Sequence, residues 1–158
     1  MTTTTTTTST TGAPAPLNPR AIALAHYASR ALLEGVLARH GLTFEQSVVL
    51  RAVTAAGGRI ERDALVADVN GSLKAGEGAV RAVLDRTVRA GLLETDAEQS
   101  ALVRLTDAGR ELFERTGAET APITARVYAG IPAEDLAVAG RVLALVAERA
   151  NAELARAS

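Results

Sequence analysis

The sequence predicts an all-α protein carrying a small β-hairpin, and three observations lead there. Apolar residues recur at helical spacing in six stretches, separated by Gly41, Gly57-Gly58, Asn70-Gly71, Gly91 and a turn at Gly130-Ile131-Pro132. Only between Leu92 and Leu105 does the period shorten to that of strands. With 47% hydrophobic but only 3% aromatic residues, the core has to be built from Ala, Leu and Val, a composition that favours helix.

Taken in order, residues 1–18 are a Thr- and Pro-rich stretch with no basic residue. Such a segment buries too little to offset its ordering entropy and is expected to be a disordered tail. From Arg20 to His40, Ile22, His26, Ser29, Leu33, Val36 and Leu37 share one helical stripe, and Gly41 ends it. Thr43 opens the second helix with Gln46 three residues on, a capping-box pair; Val49, Leu50 and Val53 face inward. The third helix spans roughly Glu61 to Val69, stopped by Asn70-Gly71, and the fourth roughly Ala75 to Ala90, with Val80, Val83, Leu84, Thr87 and Val88 inward.

Leu92–Thr95 and Ala101–Leu105 then form a hairpin around the polar loop Asp96–Ser100. Thr106 caps a fifth helix with Leu112 and Phe113 inward and Glu111 paired to Arg115; Pro122 should kink or break it. The last helix starts near Pro132 and carries Leu136, Ala139, Leu143, Val146, Ala150 and Leu154 on one stripe.

Short helices followed by a hairpin make a winged helix-turn-helix, here residues 41–106. The long helices at 19–40 and 107–158 are too apolar along one stripe for solvent, so a second copy of the chain is expected to cover them, giving a homodimer.

The totals exclude several functions. There is no Cys, hence no disulfide, thiol chemistry or Cys-based zinc site; two His are too few for a His-rich metal site. No catalytic triad, metal pair or phosphate-cradling glycine loop is present, so neither an enzyme nor a cofactor is expected. With no membrane-length apolar run and no signal-peptide pattern, the protein is expected in the cytoplasm, away from membranes. The net charge is −1, so any nucleic-acid binding has to come from a local patch.

Several segments resemble the MarR family of regulators. Gly41-Leu42-Thr43-x-x-Gln46-x-x-Val49-Leu50 is similar to the opening of its second helix, and Gly78-Ala79-Val80, Val83-Leu84-Asp85-Arg86 and Gly91-Leu92-Leu93-Glu94 to its recognition helix and first wing strand. Val103-Arg104-Leu105-Thr106-x-x-Gly109 and Gly130-Ile131-Pro132-x-x-Asp135-Leu136 resemble the second wing strand and the turn into the last helix. The resemblance covers residues 19–158. It implies a dimer held by the terminal helices, a recognition helix in the major groove, a wing in the minor groove and a repressor bound at an inverted-repeat operator. It also implies a small aromatic or phenolic effector that lowers DNA affinity. The chain departs from the pattern at the wing, whose loop Asp96-Ala97-Glu98-Gln99-Ser100 is short and has no cation, and in a recognition helix rich in Gly and Ala.

Lys74, Arg81, Arg86, Arg89 and Arg104 are the candidate DNA contacts, with Lys74, the sole lysine, and Arg81 two turns apart on the fourth helix. Without the resemblance a solvated helix face would be the better reading of these cations; with it, DNA contact is preferred. Asp85-Arg86 is expected to tie helix to wing. His26, Tyr27 and Arg30 on the first helix, with Phe44 and Arg51 on the second, are the candidate ligand residues, since an Arg beside aromatic walls can hold a carboxylate or phenolate. Interface, core and surface roles explain those five residues as well. The main reading is thus a ligand-responsive DNA-binding regulator. The alternative is a degenerate relative that works through a protein partner or a small ligand with little DNA binding.

Overall fold

The computed structural model describes residues 16–157; the expected disordered tail lies, for residues 1–15, outside them. Helix α1 (Pro19–Arg39) begins where the side-chain oxygen of Asn18 accepts the Ala21 N–H and Pro19 occupies the first turn, where its missing donor has no consequence. Helix α2 (Phe44–Ala55) opens on the Thr43/Gln46 capping box, formed in both directions. There follow β1 (Arg59–Glu61), α3 (Arg62–Leu73), α4 (Glu77–Arg89), β2 (Leu93–Thr95), β3 (Leu102–Leu105), α5 (Asp107–Tyr128) and α6 (Ala133–Ala157). Six helices and a small antiparallel sheet match the predicted fold class.

The sheet has three strands in the order β1-β3-β2, not the two of a bare hairpin. Strand β1 is three residues long and follows Gly57-Gly58, too short to leave a periodic signal. Ile60, Val103, Leu93 and Leu105 face the helices, while Arg59, Arg104 and Glu94, aligned across the three strands, face outward. Leu50, Val53, Leu65, Val69, Val80, Leu84, Leu93 and Val103 form the centre of the core, each 1% exposed or less.

Three helix boundaries depart from expectation. Helix α3 runs through Asn70-Gly71 to Leu73, because Gly in an exposed turn costs only about 1 kcal/mol and Leu73 packs against the core. The stop is supplied by Lys74, held in the left-handed region at φ 53°, with its N–H donating to the Asn70 carbonyl. The Asn70 side chain reaches past the turn to accept from the Gly76 N–H at 2.9 Å. Helix α4 therefore starts at Glu77, and Lys74 is not on it. Helix α5 continues through Pro122; the residue is exposed, as is Ala118, whose carbonyl loses its helical partner and can turn to water. Glu111 and Arg115 form no ion pair.

Helix α6 has no buried residue, and Val138, Val142, Leu143, Leu145 and Val146 are each 41–48% exposed. No described helix is long and apolar enough to cross a membrane.

Candidate nucleic-acid interface

Core packing of Val80, Val83, Leu84 and Thr87 fixes which way α4 turns its remaining side chains. Glu77, Arg81, Asp85 and Arg89 then follow one another at four-residue intervals, beside an exposed stripe of Gly78, Ala82 and Arg86. Arg81 is already engaged: its guanidinium lies 2.9 Å from Asp63 and 3.9 Å from Glu77. Asp85 accepts from Arg62 at the start of α3, so it ties α4 to α3 and not to the wing; Arg86 takes no part. The expected Asp85-Arg86 tie is corrected on that ground. Arg86 and Arg89 are exposed and unpaired in the last turn of α4, where positive charge also suits the helix dipole. Lys74 is exposed in the α3–α4 turn. The helix-turn-helix therefore offers three unengaged cations, and on α4 Gly78 and Ala82 interrupt a row of charged side chains.

The wing differs. Asp96 accepts the N–H groups of Glu98 at 3.0 Å and Gln99 at 3.1 Å through one side-chain oxygen. These two backbone bonds hold its carboxyl below the usual carboxylate range, with Arg59 and Arg104 adding to the effect. Asp96 thus shapes the turn. Arg104 lies behind the tip on β3, its guanidinium donating to Glu94 at 2.7 Å. No cation stands at the tip itself.

The five candidate ligand residues do not converge. Arg30 donates to Glu34 at 2.8 Å and to Glu45 at 3.1 Å, and its guanidinium lies 4.2 Å over the Phe44 ring. The Glu34 bond, then the nearby carboxylates, raise its pKa further, so this pair is a closed internal contact between α1 and α2. His26 and Tyr27 contact each other with ring centroids 5.6 Å apart and are both exposed. Two of the five border open cavities in different places: His26 one of about 280 Å³ beside Ile22 and Leu143, and Arg51 one of about 160 Å³ walled by Leu33, Phe113, Thr116 and Thr120. A third cavity of about 90 Å³, with Ile123, Thr124 and Tyr128, shares Leu33 and Thr120 with the Arg51 cavity, so these two make one cleft between α1 and α5. The cause of the split is angular: Leu33 and Leu37 turn toward α5 while Arg30 turns toward α2. The threonines were missed, although 116, 120 and 124 recur at four-residue spacing. Thr116 and Thr120 donate to carbonyls of their own helix, which leaves oxygen lone pairs toward the cleft.

No protein-family model and no curated protein matches the sequence. Among solved structures, a mutant MarR from E. coli complexed with operator DNA superposes with a TM-score of 0.66 at 23% identity, over 80% of this chain and 91% of that one. The fold is that of the MarR regulators. BpsR of Bordetella bronchiseptica, whose DNA binding is regulated by 6-hydroxynicotinic acid, gives a MarR-type match of 0.64 at 23% identity, covering 84% and 99%. The organohalide-sensing regulator RdhR with 2,4-dichlorophenol bound gives 0.68 at 15% identity, covering 82% and 77%. In this MarR fold α3 and α4 are the helix-turn-helix, β2 and β3 the wing, and the α1/α5 cleft lies where the long helices meet the winged unit.

Proposed function

We propose that the chain is a transcription regulator that binds duplex DNA as a homodimer at an inverted-repeat operator and acts as a ligand-responsive repressor. One observation carries the reading: on a MarR fold, the exposed face of α3–α4 presents Lys74, Arg86 and Arg89 free of internal partners, with Gly78 and Ala82 allowing α4 close approach to a major groove. Phosphate contacts from these cations position the helix, and Arg81 joins them by exchanging its carboxylates for phosphate. The dimer is supported by α6, where Val138, Val142, Leu143, Leu145 and Val146 are each 41–48% exposed among the described residues. The effector is a small aromatic or phenolic acid in the α1/α5 cleft, its anion toward Arg51 and its ring against Leu33 and Phe113.

The test is binding of the full chain to labelled duplex from its own upstream region, at several salt concentrations and with a panel of aromatic acids. Saturable, sequence-dependent binding that weakens with one of the acids is expected. A chain that binds no duplex above background sinks the reading. A second reading is favoured by two observations, the carboxylates on Arg81 and the acidic wing tip: a MarR-fold module that senses a small ligand and passes the signal to a protein partner.

A further inference from the structure

Arg59 on β1 and Arg104 on β3 stand directly opposite each other in the sheet register, on its outward face. Like charges so placed destabilise a strand pair unless an anion intervenes. Arg104 has Glu94 beside it, but Arg59 forms no ion pair. A third guanidinium joins them from another element: Arg110, in the first turns of α5, lies over Gly58, where even an added methyl group would sit 3.7 Å from its terminal nitrogen. Arg110 too forms no ion pair. The three arginines border a groove of about 570 Å³ floored by Gly57-Gly58 and Thr106 and also lined by Glu94 and Asp107. The fold needs neither Arg59 nor Arg110 for packing, since both are exposed.

We infer that this groove binds a phosphate group, clamped by Arg59, Arg110 and Arg104. Guanidinium forks match phosphate oxygens two at a time, and three of them from separate elements line this one groove. Glu94 keeps Arg104 oriented, and Asp107 sits at the α5 N-terminus, where a carboxylate is favoured by the helix dipole. The phosphate has two possible sources. One is the DNA backbone flanking the operator, since the groove lies at the base of the wing strands, whose tip has no cation of its own; for that source the proposal rests on the DNA-binding reading. The other is a free phosphate or diphosphate, which would act independently of DNA.

The full chain is compared with Arg59→Ala/Arg110→Ala and with a control of equal charge change, Arg20→Ala/Arg115→Ala, all checked for folding by circular dichroism. One arm titrates inorganic pyrophosphate by calorimetry without DNA. The other measures affinity for operator duplexes with long and with trimmed flanks across salt. The site predicts a loss of about tenfold or more in at least one arm for the Arg59/Arg110 variant, and none for the control. Loss on long-flank duplex alone assigns the backbone as the source; loss of pyrophosphate binding assigns the free anion. Pyrophosphate binding by a native chain that binds no duplex would remove the DNA reading and leave the site standing. Equal losses in variant and control, unchanged affinities in both arms, or a native chain that binds neither ligand would overturn the proposal.

Discussion

Asp63 of α3 holds the guanidinium of Arg81 on α4 at 2.9 Å, so the best-placed cation of the helix-turn-helix starts from a partnered state. Asp63 is mostly exposed and Arg81 partly so, and an ion pair at the surface is worth about 0–1 kcal/mol. A phosphate can displace it. Asp63→Asn is therefore expected to leave thermal stability nearly unchanged while tightening duplex binding, since it removes a repulsive charge and frees Arg81. Arg81→Ala should weaken binding. Fluorescence anisotropy of a labelled duplex measures both, and an Asp63→Asn protein that binds no more tightly would place Arg81 away from DNA.

The motif residue Gly109 is buried in the first turn of α5, and its reason is steric. A Cβ there would stand 2.1 Å from the Leu92 carbonyl oxygen and 3.0 Å from a methyl of Leu105. That carbonyl also accepts the Thr106 N–H that seats α5 on the wing strands. Gly109→Ala must push α5 off β2 and β3, at an expected loss of roughly 1–3 kcal/mol, the range for overpacking a close contact. A lowered melting temperature checks this; an unchanged one would mean α5 docks loosely.

Acid should loosen the junction of α1 and α5. Glu119 of α5 accepts from Arg39 at 2.8 Å and from the His40 ring at 2.7 Å, and these two bonds hold its carboxyl below the usual range against the opposing effect of partial burial. Because the folded value is depressed, the stabilisation is complete above the ordinary carboxylate pKa and is lost as pH falls through the folded one. Glu119→Gln removes that dependence. Stability of the native chain should thus fall more steeply than that of the variant as pH drops below the carboxylate range, measured by denaturant titration at each pH. Parallel curves would contradict the linkage.

Leu143 of α6 is 43% exposed, and near it Ile22 and His26 of α1 line a shallow depression. If a second chain covers α6, Leu143→Asp buries a charge at that contact and should give monomers or misfolded protein. Light scattering on native and variant chains decides; a well-folded native monomer in dilute solution would remove the homodimer.

The fold was legible because its signals are local. The Thr43–Gln46 box, the glycine stops after α1, α2 and α4, and the core faces of α2 and α4 are each written within a few residues. The candidate site was less so. Arg30 and Phe44 looked like the start of a ligand pocket because sequence spacing cannot show that Glu34 and Glu45 close around that arginine. Lys74 was placed on α4 because Asn70-Gly71 reads as a stop, whereas the Asn70 side chain spans to Gly76 and lets α3 run on. Arg59 lies far from Arg104 in sequence and Arg110 is on another element; the pairing of β1 with β3 and the placement of α5 over Gly58 bring the three together.

The wing carries the last prediction. Asp96 uses its carboxylate to hold the Glu98 and Gln99 N–H groups, so the turn depends on the backbone of those residues and not on their side chains. Replacing both with Arg should keep the loop conformation while removing one negative charge and adding two positive ones at an exposed tip. Minor-groove potential attracts such cations. Glu98→Arg/Gln99→Arg is expected to bind duplex more tightly than the native chain, with the slope of log affinity against log salt steeper by about 0.9 for each phosphate newly neutralised. Asp96→Ala provides the contrast: it also removes an acid, yet it unties the turn, so it should gain less affinity than its charge change alone would give. A double Arg variant with unchanged affinity and unchanged salt slope would show that the tip stays out of reach of DNA, leaving contact to α4 and to cations behind the tip.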